Sequence, residues 1–169
     1  MKKFSDTIEL THKADAVLQT ATNPSYLKQR YSKVDHLITF DLEPVQDDEA
    51  GFECLIRREF GIGDGVPRVI RKIVGESLVL EQQHQWDRQG PPYTGSLHIE
   101  AAGFPGEISA GLLLQDRGDS GSLIEVDGNI SAGIPIVGGQ IEKFLMGHVQ
   151  KVIKDSFQSL NDYIKGQKS

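Results

Sequence analysis

One amphipathic segment near the end of the chain constrains the fold more than any other feature. From Ile141 to Ile164 the apolar residues recur at the three- and four-residue spacing of a single helix face. Pro135 and the pair Gly138-Gly139 separate this helix from the preceding chain, and Gly166 is a suitable stop. The predicted apolar stripe contains Ile141, Phe144, Leu145, His148, Val149, Val152, Ile153, Leu160 and Ile164. Such a one-sided helix has to bury this stripe against another element.

Strands supply that element. Residues 34–133 alternate between apolar and polar side chains in six successive runs, and residues 3–12 form an earlier run of the same kind. Two short helices are predicted between them, over residues 13–21 and after a cap at Asn23-Pro24. The fold class is therefore α+β: an antiparallel, curved sheet of about seven strands wrapped round a long C-terminal helix.

Composition limits the cellular setting and the partners. The chain has 169 residues and a formal net charge of −6, which disfavours nucleic acid or an anionic membrane as the main partner. A single cysteine, Cys54, excludes an internal disulfide and fits a reducing compartment. The first residues lack the apolar run of a signal peptide, and no apolar run is long enough to span a bilayer. We expect one domain over residues 1–169 of a cytoplasmic, bacterial-type protein without a cofactor.

The string Gly118-Asp119-Ser120-Gly121 is similar to the active-serine segment of trypsin-like proteases. It lies between two alternating runs at hairpin spacing, where glycine and aspartate are ordinary turn residues. No histidine of the chain has the sequence context that accompanies that serine, and a long helix replaces the strands of a second barrel. We interpret the string as a turn at the sheet end opposite the glycine-rich 61–76 segment.

A curved sheet folded round one helix tends to leave an apolar cavity between them. The 61–76 segment is the predicted lid, since its glycines permit movement and Val66, Val69, Ile70 and Ile73 give it an apolar underside. The predicted wall residues are Phe52, Cys54, Ile56, Leu78, Leu80, Trp86, Leu97, Ile99, Leu112, Ile124, Phe144, Leu145, His148 and Val152. The alternative is that these side chains pack together and leave no cavity.

Four polar residues are candidates for contacts inside this cavity: Arg58, His84, Tyr93 and His148. Arg58 has the same parity as the apolar residues of its strand, so it reaches an anionic ligand head or extends to water at the strand end. His148 interrupts the apolar stripe of the long helix, either as a hydrogen-bonded core residue or as a ligand contact. The five histidines show no pair at metal-ligand spacing, so we predict no metal site.

The sequence resembles the START-like (SRPBCC, helix-grip) superfamily, and within it an uncharacterised bacterial branch of unknown function. The resembling stretches are Ala14–Tyr26, Gly65–Gly75 with the strand ending at Trp86, Tyr93-Thr94-Gly95, and Ile134–Glu142. The resemblance covers nearly the whole chain. It implies the helix-grip fold and binding of a small hydrophobic molecule or lipid under the last helix, and it carries over no catalytic residue.

Three hypotheses on function therefore remain open. The first is a non-enzymatic protein that binds a small hydrophobic molecule or lipid. The second is a cyclase, aromatase or dehydratase, which requires at least two of the four polar candidates to lie within hydrogen-bond reach of each other. The third is a protein-interaction module with a filled core and a large exposed apolar patch.

Overall fold

The computed structural model describes residues 1–167. Seven strands and four helices follow one another in the predicted order, with a short third helix in the 61–76 segment. Their bounds are β1 Lys2–Leu10, α1 Ala14–Ala21, α2 Pro24–Tyr31, β2 Leu37–Asp47, β3 Gly51–Gly61, α3 Arg68–Val74, β4 Ser77–Asp87, β5 Tyr93–Ala101, β6 Gly106–Arg117, β7 Gly121–Ala132 and α4 Gly138–Gln167.

All seven strands belong to one antiparallel sheet with the order β1-β7-β6-β5-β4-β3-β2. The predicted helix-grip fold is therefore confirmed. Because neighbouring residues of a strand point to opposite faces, the period-two pattern sends one set of side chains to a concave face under the helices. Ile8, Ile124 and Leu114 form one such row across three strands, and each is at most 1% exposed.

Local polar contacts position the two short helices. The Asn23 side chain accepts a hydrogen bond from the Ser25 amide at 2.9 Å and Pro24 starts α2, so the predicted cap is confirmed. At the start of α1, the Ala14 amide donates to Asp116 Oδ1 at 2.8 Å. Asp116 belongs to the end of β6, next to the serine string. Its carboxylate therefore caps a helix and ties α1 to the sheet.

The long helix confirms the prediction in outline and corrects it in detail. It begins at Gly138, inside the predicted glycine break, and continues past Gly166 to Gln167. Its buried apolar residues are Ile141, Val149 and Ile153, which are spaced by multiples of four, and then Leu160 and Ile164. His148 and Val152, which the predicted stripe included, are exposed, so the stripe was wrong at these two positions.

Two polar residues of this helix that lie outside the predicted apolar stripe are buried as well. Glu142 is 6% exposed, and its Oε2 accepts a hydrogen bond from the Ala132 amide at 3.0 Å. That backbone donor is the largest cause of the lowered pKa of Glu142. Asn161 is 8% exposed, and its Oδ1 accepts from the Thr11 amide at 3.0 Å. The two side chains satisfy backbone groups where β7 and β1 end, so they attach both halves of α4 to the sheet.

The two glycines at the start of α4 should respond in opposite ways to alanine. A Cβ on Gly138 would lie 2.5 Å from the Ala132 carbonyl oxygen, whereas one on Gly139 would meet nothing within 4 Å. We expect Gly138→Ala to lower the free energy of unfolding by about 1–3 kcal/mol. Gly139→Ala should raise it by about 0.5 kcal/mol by restricting the unfolded chain. Urea unfolding of both variants measures this, and equal effects would contradict the close approach of α4 to β7.

Candidate functional site: the groove beside the long helix

The concave face of the sheet is only partly covered by helices. α4 packs mainly against β1, β7 and α1, and α2 packs against α1 and β2. Within residues 1–167 no helix packs extensively against β4 or β5. Six apolar side chains of the concave face consequently remain partly exposed, and together they define the groove: Leu78, Leu80, Leu97, Ile99, Ile108 and Leu112.

The predicted wall residues divide into three groups. Five belong to the closed core and are at most 4% exposed: Phe52, Cys54, Ile56, Trp86 and Ile124. Seven are partly exposed, five of them in the groove and two on the first half of α4: Leu78, Leu80, Leu97, Ile99, Leu112, Phe144 and Leu145. The last two, His148 and Val152, lie on the exposed side of α4.

α3 and its flanking residues cover one end of this face. Ile70 is buried with Ala132 and Ile141, in a small cluster separate from the main core. Val66, Val69 and Ile73 pack around that cluster, as the predicted apolar underside requires. Gly63 and Gly65, which precede the helix, have open space around them.

A buried polar cluster borders the groove, where β3 and β4 pass under the end of α2. Arg58 Nη2 donates to Gln82 Oε1 at 2.6 Å, and the guanidinium lies 5.2 Å from the ring centroid of Tyr31. The His84 ring meets the same Tyr31 ring edge-on, with 5.2 Å between centroids. Arg58 and His84 are each 9% exposed, and Gln82 is 4% exposed. We call Tyr31, Arg58, Gln82 and His84 the arginine cluster.

Burial and the positive charge of Arg58 determine the protonation of this cluster. Desolvation, followed by the charge of Arg58, lowers the pKa of His84 to about 4, so its imidazole is neutral near pH 7. Desolvation also lowers the pKa of Arg58, which stays charged because a guanidinium does not deprotonate in proteins. Burial raises the pKa of the neighbouring Cys54 thiol to about 12, which makes it an inert core residue.

The other two polar candidates lie away from this cluster. Tyr93 begins β5, whereas the strand row through Arg58 and Leu80 crosses β5 at its last residue, Ala101. The Tyr93 hydroxyl donates to Asp15, and this hydrogen bond is the largest cause raising the pKa of Tyr93 to about 12. His148 is exposed and stacks on Phe144, with ring centroids 5.2 Å apart. Of the four candidates, the structure therefore brings only Arg58 and His84 together.

The sequence pattern also indicated that Gln82 is buried, and our prediction missed this. Gln82 lies between Leu80 and His84 in the same period-two register of β4, so it had to face the interior. A polar residue in an apolar register is a sign of a buried polar contact. Tyr31 had no comparable signal, because its position at the end of α2 becomes meaningful only once α2 lies over β2 and β3.

Two further groups of side chains belong to the outer surface. Ser120 lies in the exposed turn between β6 and β7, and among the described side chains no histidine hydrogen-bonds to it. The fold also gathers His98, Glu100 and Glu107 on the convex face, which the histidine spacing did not reveal. His98 Nε2 lies 2.9 Å from Glu100 Oε1 and 3.6 Å from Glu107 Oε2, and both glutamates are exposed.

The convex face carries two shallow concavities of about 350 and 420 Å³. The first lies around Gln85, Thr94 and Ser96, and the second around Ser5 and Asp127. Both are bordered largely by exposed polar side chains, which give an apolar molecule little surface to bury. The concave groove is therefore the better candidate for an apolar ligand.

The antiparallel sheet, the α4 clamp and the partly open concave face define the helix-grip (START-like) fold. A family model described as a protein of unknown function, DUF2505, matches residues 5–164, and the chain belongs to this family. No curated protein matches the sequence. None of the helices within residues 1–167 is long and apolar enough to cross a membrane.

Solved structures show the same fold at low sequence identity. A protein from Thermus thermophilus superposes with a TM-score of 0.65 at 15% identity, over 99% of this chain and 100% of the other. The Zhui aromatase/cyclase from Streptomyces gives 0.63 at 8% identity, over 99% and 96%. Human STARD10 gives 0.63 at 10% identity, over 98% of this chain and 66% of its own. These likenesses establish the helix-grip architecture.

Proposed function

We propose that this protein binds a small hydrophobic molecule or lipid in the groove between the sheet and α4. The observation that carries the proposal is the partial exposure of six apolar side chains on the concave face, where α4 does not cover β4 and β5. Burying these side chains under a ligand contributes about 25 cal/mol to the free energy of binding for every Å² of their surface removed from water. The fold shared with an aromatase/cyclase and with STARD10 supports the same choice.

An acid–base enzyme has less support. The second hypothesis required two polar candidates within hydrogen-bond reach, yet among the described side chains no hydrogen bond joins Arg58 to His84. The pKa of His84, at about 4, also makes it a weak general base near neutral pH. An interaction module has less support too, because the most exposed large apolar residues, which include Ile38, Val45, Ile136 and Val152, do not belong to one element.

The proposal also covers the domain organisation and the cellular location. We propose a single ligand-binding domain over residues 1–169 in the bacterial cytoplasm. The buried free thiol of Cys54 agrees with a reducing compartment.

Filling the groove should weaken the binding of an apolar probe. Leu97 of β5 lies at the centre of the groove. The preceding residue, Ser96, is exposed on the convex face. We expect Leu97→Trp to weaken the binding of the neutral dye Nile red by about tenfold or more, because the indole occupies the ligand volume. Fluorescence titration measures the dissociation constant.

Ser96→Trp is the matched control and should leave the affinity unchanged. Ser96 also borders one of the convex concavities, so a loss of binding in this variant alone would place the ligand on the wrong face and contradict the proposal. Native mass spectrometry of the purified wild-type protein provides a second readout, and we expect a co-purified apolar molecule.

A further inference from the structure

The arginine cluster contains a buried positive charge for which the protein supplies no negative partner. Arg58 is 9% exposed, yet among the described side chains no carboxylate lies within 4.0 Å of its guanidinium. Its adjacent residue, Arg57, shows the contrast, because it lies on the convex face and forms an ion pair with Glu81. Charges buried in proteins are ordinarily paired, so an unpaired arginine facing an interior requires an explanation.

The polar contacts of Arg58 leave part of the guanidinium free. Nη2 donates to Gln82 Oε1, and Nη1 makes a long contact of 3.4 Å with the Tyr31 carbonyl oxygen. Nε is buried and has no hydrogen-bond partner. The ring of His84 contacts the ring of Tyr31, and its Nε2 is also buried without a hydrogen-bond partner. Two nitrogen atoms of the arginine cluster thus lack the partners that buried polar groups nearly always have.

The charges around the cluster favour an anion over any neutral group. Arg30, which is partly exposed, lies 5.9 Å from the same Tyr31 ring and adds a second positive charge. His84 is neutral, and Gln82 and Tyr31 carry no charge. The Nε–H and an Nη–H of a guanidinium form a planar fork that matches the two oxygens of a carboxylate.

The surroundings of the cluster are apolar. The Phe60 ring centroid lies 5.8 Å from the guanidinium of Arg58. Leu80 is the strand partner of Arg58, and Ile99 pairs with Gln82, so the cluster borders the groove directly. A molecule with its acidic end at Arg58 would therefore lay its apolar body along the groove, beside the lid that begins after Gly61.

We propose that the natural ligand of this groove is an apolar carboxylic acid whose carboxylate binds the fork of Arg58. The inference rests on the proposed binding function and narrows it from hydrophobic molecules in general to singly charged acids. One carboxylate matches the single positive charge of the arginine cluster, and it supplies acceptors to the unsatisfied Nε of Arg58 and to His84 when Nε2 carries the proton.

The test compares two ligands that differ only in the head group. Dodecanoic acid and dodecanol would each be titrated against wild-type protein preloaded with Nile red, at neutral pH, where the acid is ionised. A charge-assisted bidentate contact predicts that the acid binds about tenfold or more tightly than the alcohol. Arg58→Gln should reduce this ratio to about one, whereas Arg57→Gln, the matched control on the opposite face, should retain it.

The outcomes separate the two proposals. If acid and alcohol bind the wild-type protein equally, the acid preference is wrong while groove binding stands. If neither displaces Nile red, the acid proposal fails, and the Leu97→Trp titration decides the groove proposal separately. If the acid preference survives in a folded Arg58→Gln protein, or disappears in Arg57→Gln, Arg58 is not the carboxylate site. The wild-type ratio decides the ligand class even where Arg58→Gln fails to fold.

Discussion

Replacing Phe52 with alanine is expected to lower the free energy of unfolding by about 3–5 kcal/mol. Phe52 is 0% exposed and belongs to the main core, although the sequence pattern placed it in the cavity wall. Truncation of a fully enclosed phenylalanine removes its packing contacts and leaves a void that rigid strands cannot fill. Urea unfolding monitored by circular dichroism measures the loss.

Leu80→Ala is the control for this prediction. Leu80 has the same concave orientation but borders the groove and is partly exposed, so its truncation should cost only about 1 kcal/mol. A comparable loss in both variants would mean that Leu80 is enclosed by the core and that the groove at this position is filled. The pair therefore tests where the packed core ends and the groove begins.

Acidification should destabilise the protein through His84. In the unfolded chain a histidine titrates near pH 6.5, whereas burial and Arg58 lower the pKa of His84 to about 4 in the folded protein. The unfolded state therefore binds a proton that the folded state excludes, so the stabilisation is complete above about pH 6.5 and is lost as the pH falls to about 4. The shift corresponds to about 3 kcal/mol.

The variant His84→Gln isolates this contribution, because glutamine does not titrate while the carboxylates of the protein titrate in both proteins. We expect the free energy of unfolding, measured in urea between pH 7 and pH 4, to fall more steeply for the wild-type chain. The groups that approach His84 are Arg58 on β3 and the Tyr31 ring at the end of α2, with Cys54 as its strand partner. Parallel pH profiles would show that His84 is hydrated in the folded state.

Predictions from the sequence succeeded where one periodicity decides the outcome. The alternation in β1 to β7 specified both the strands and the face that each side chain occupies, and Asn23-Pro24 specified the start of α2. Arg58 and His84 have the interior parity too, although the sequence left open whether Arg58 extends to water. It failed to separate core from groove, because Phe52 and Leu97 have the same pattern and differ only in what lies above them.

Helical periodicity was less decisive for α4. At 3.6 residues per turn, His148 and Val149 are neighbours on the surface of the helix, and only the docking angle against β1 and β7 decides which of them is buried. The burial of Glu142 and Asn161 depends on the same docking. Glu142 accepts a hydrogen bond from the end of β7, across a turn, and Asn161 accepts one from the chain just after β1, which is distant in sequence.

The sequence by itself determined the order of elements, the antiparallel sheet with a helix beside it, and the parity of each strand, because these follow from local periodicity and turn residues. Only the tertiary structure decided where α4 leaves the sheet uncovered and which polar side chains meet. Tyr31, Arg58, Gln82 and His84 come from α2, β3 and β4, and their contact depends on packing between segments far apart in the chain. The unpaired charge at Arg58 is a property of that packing.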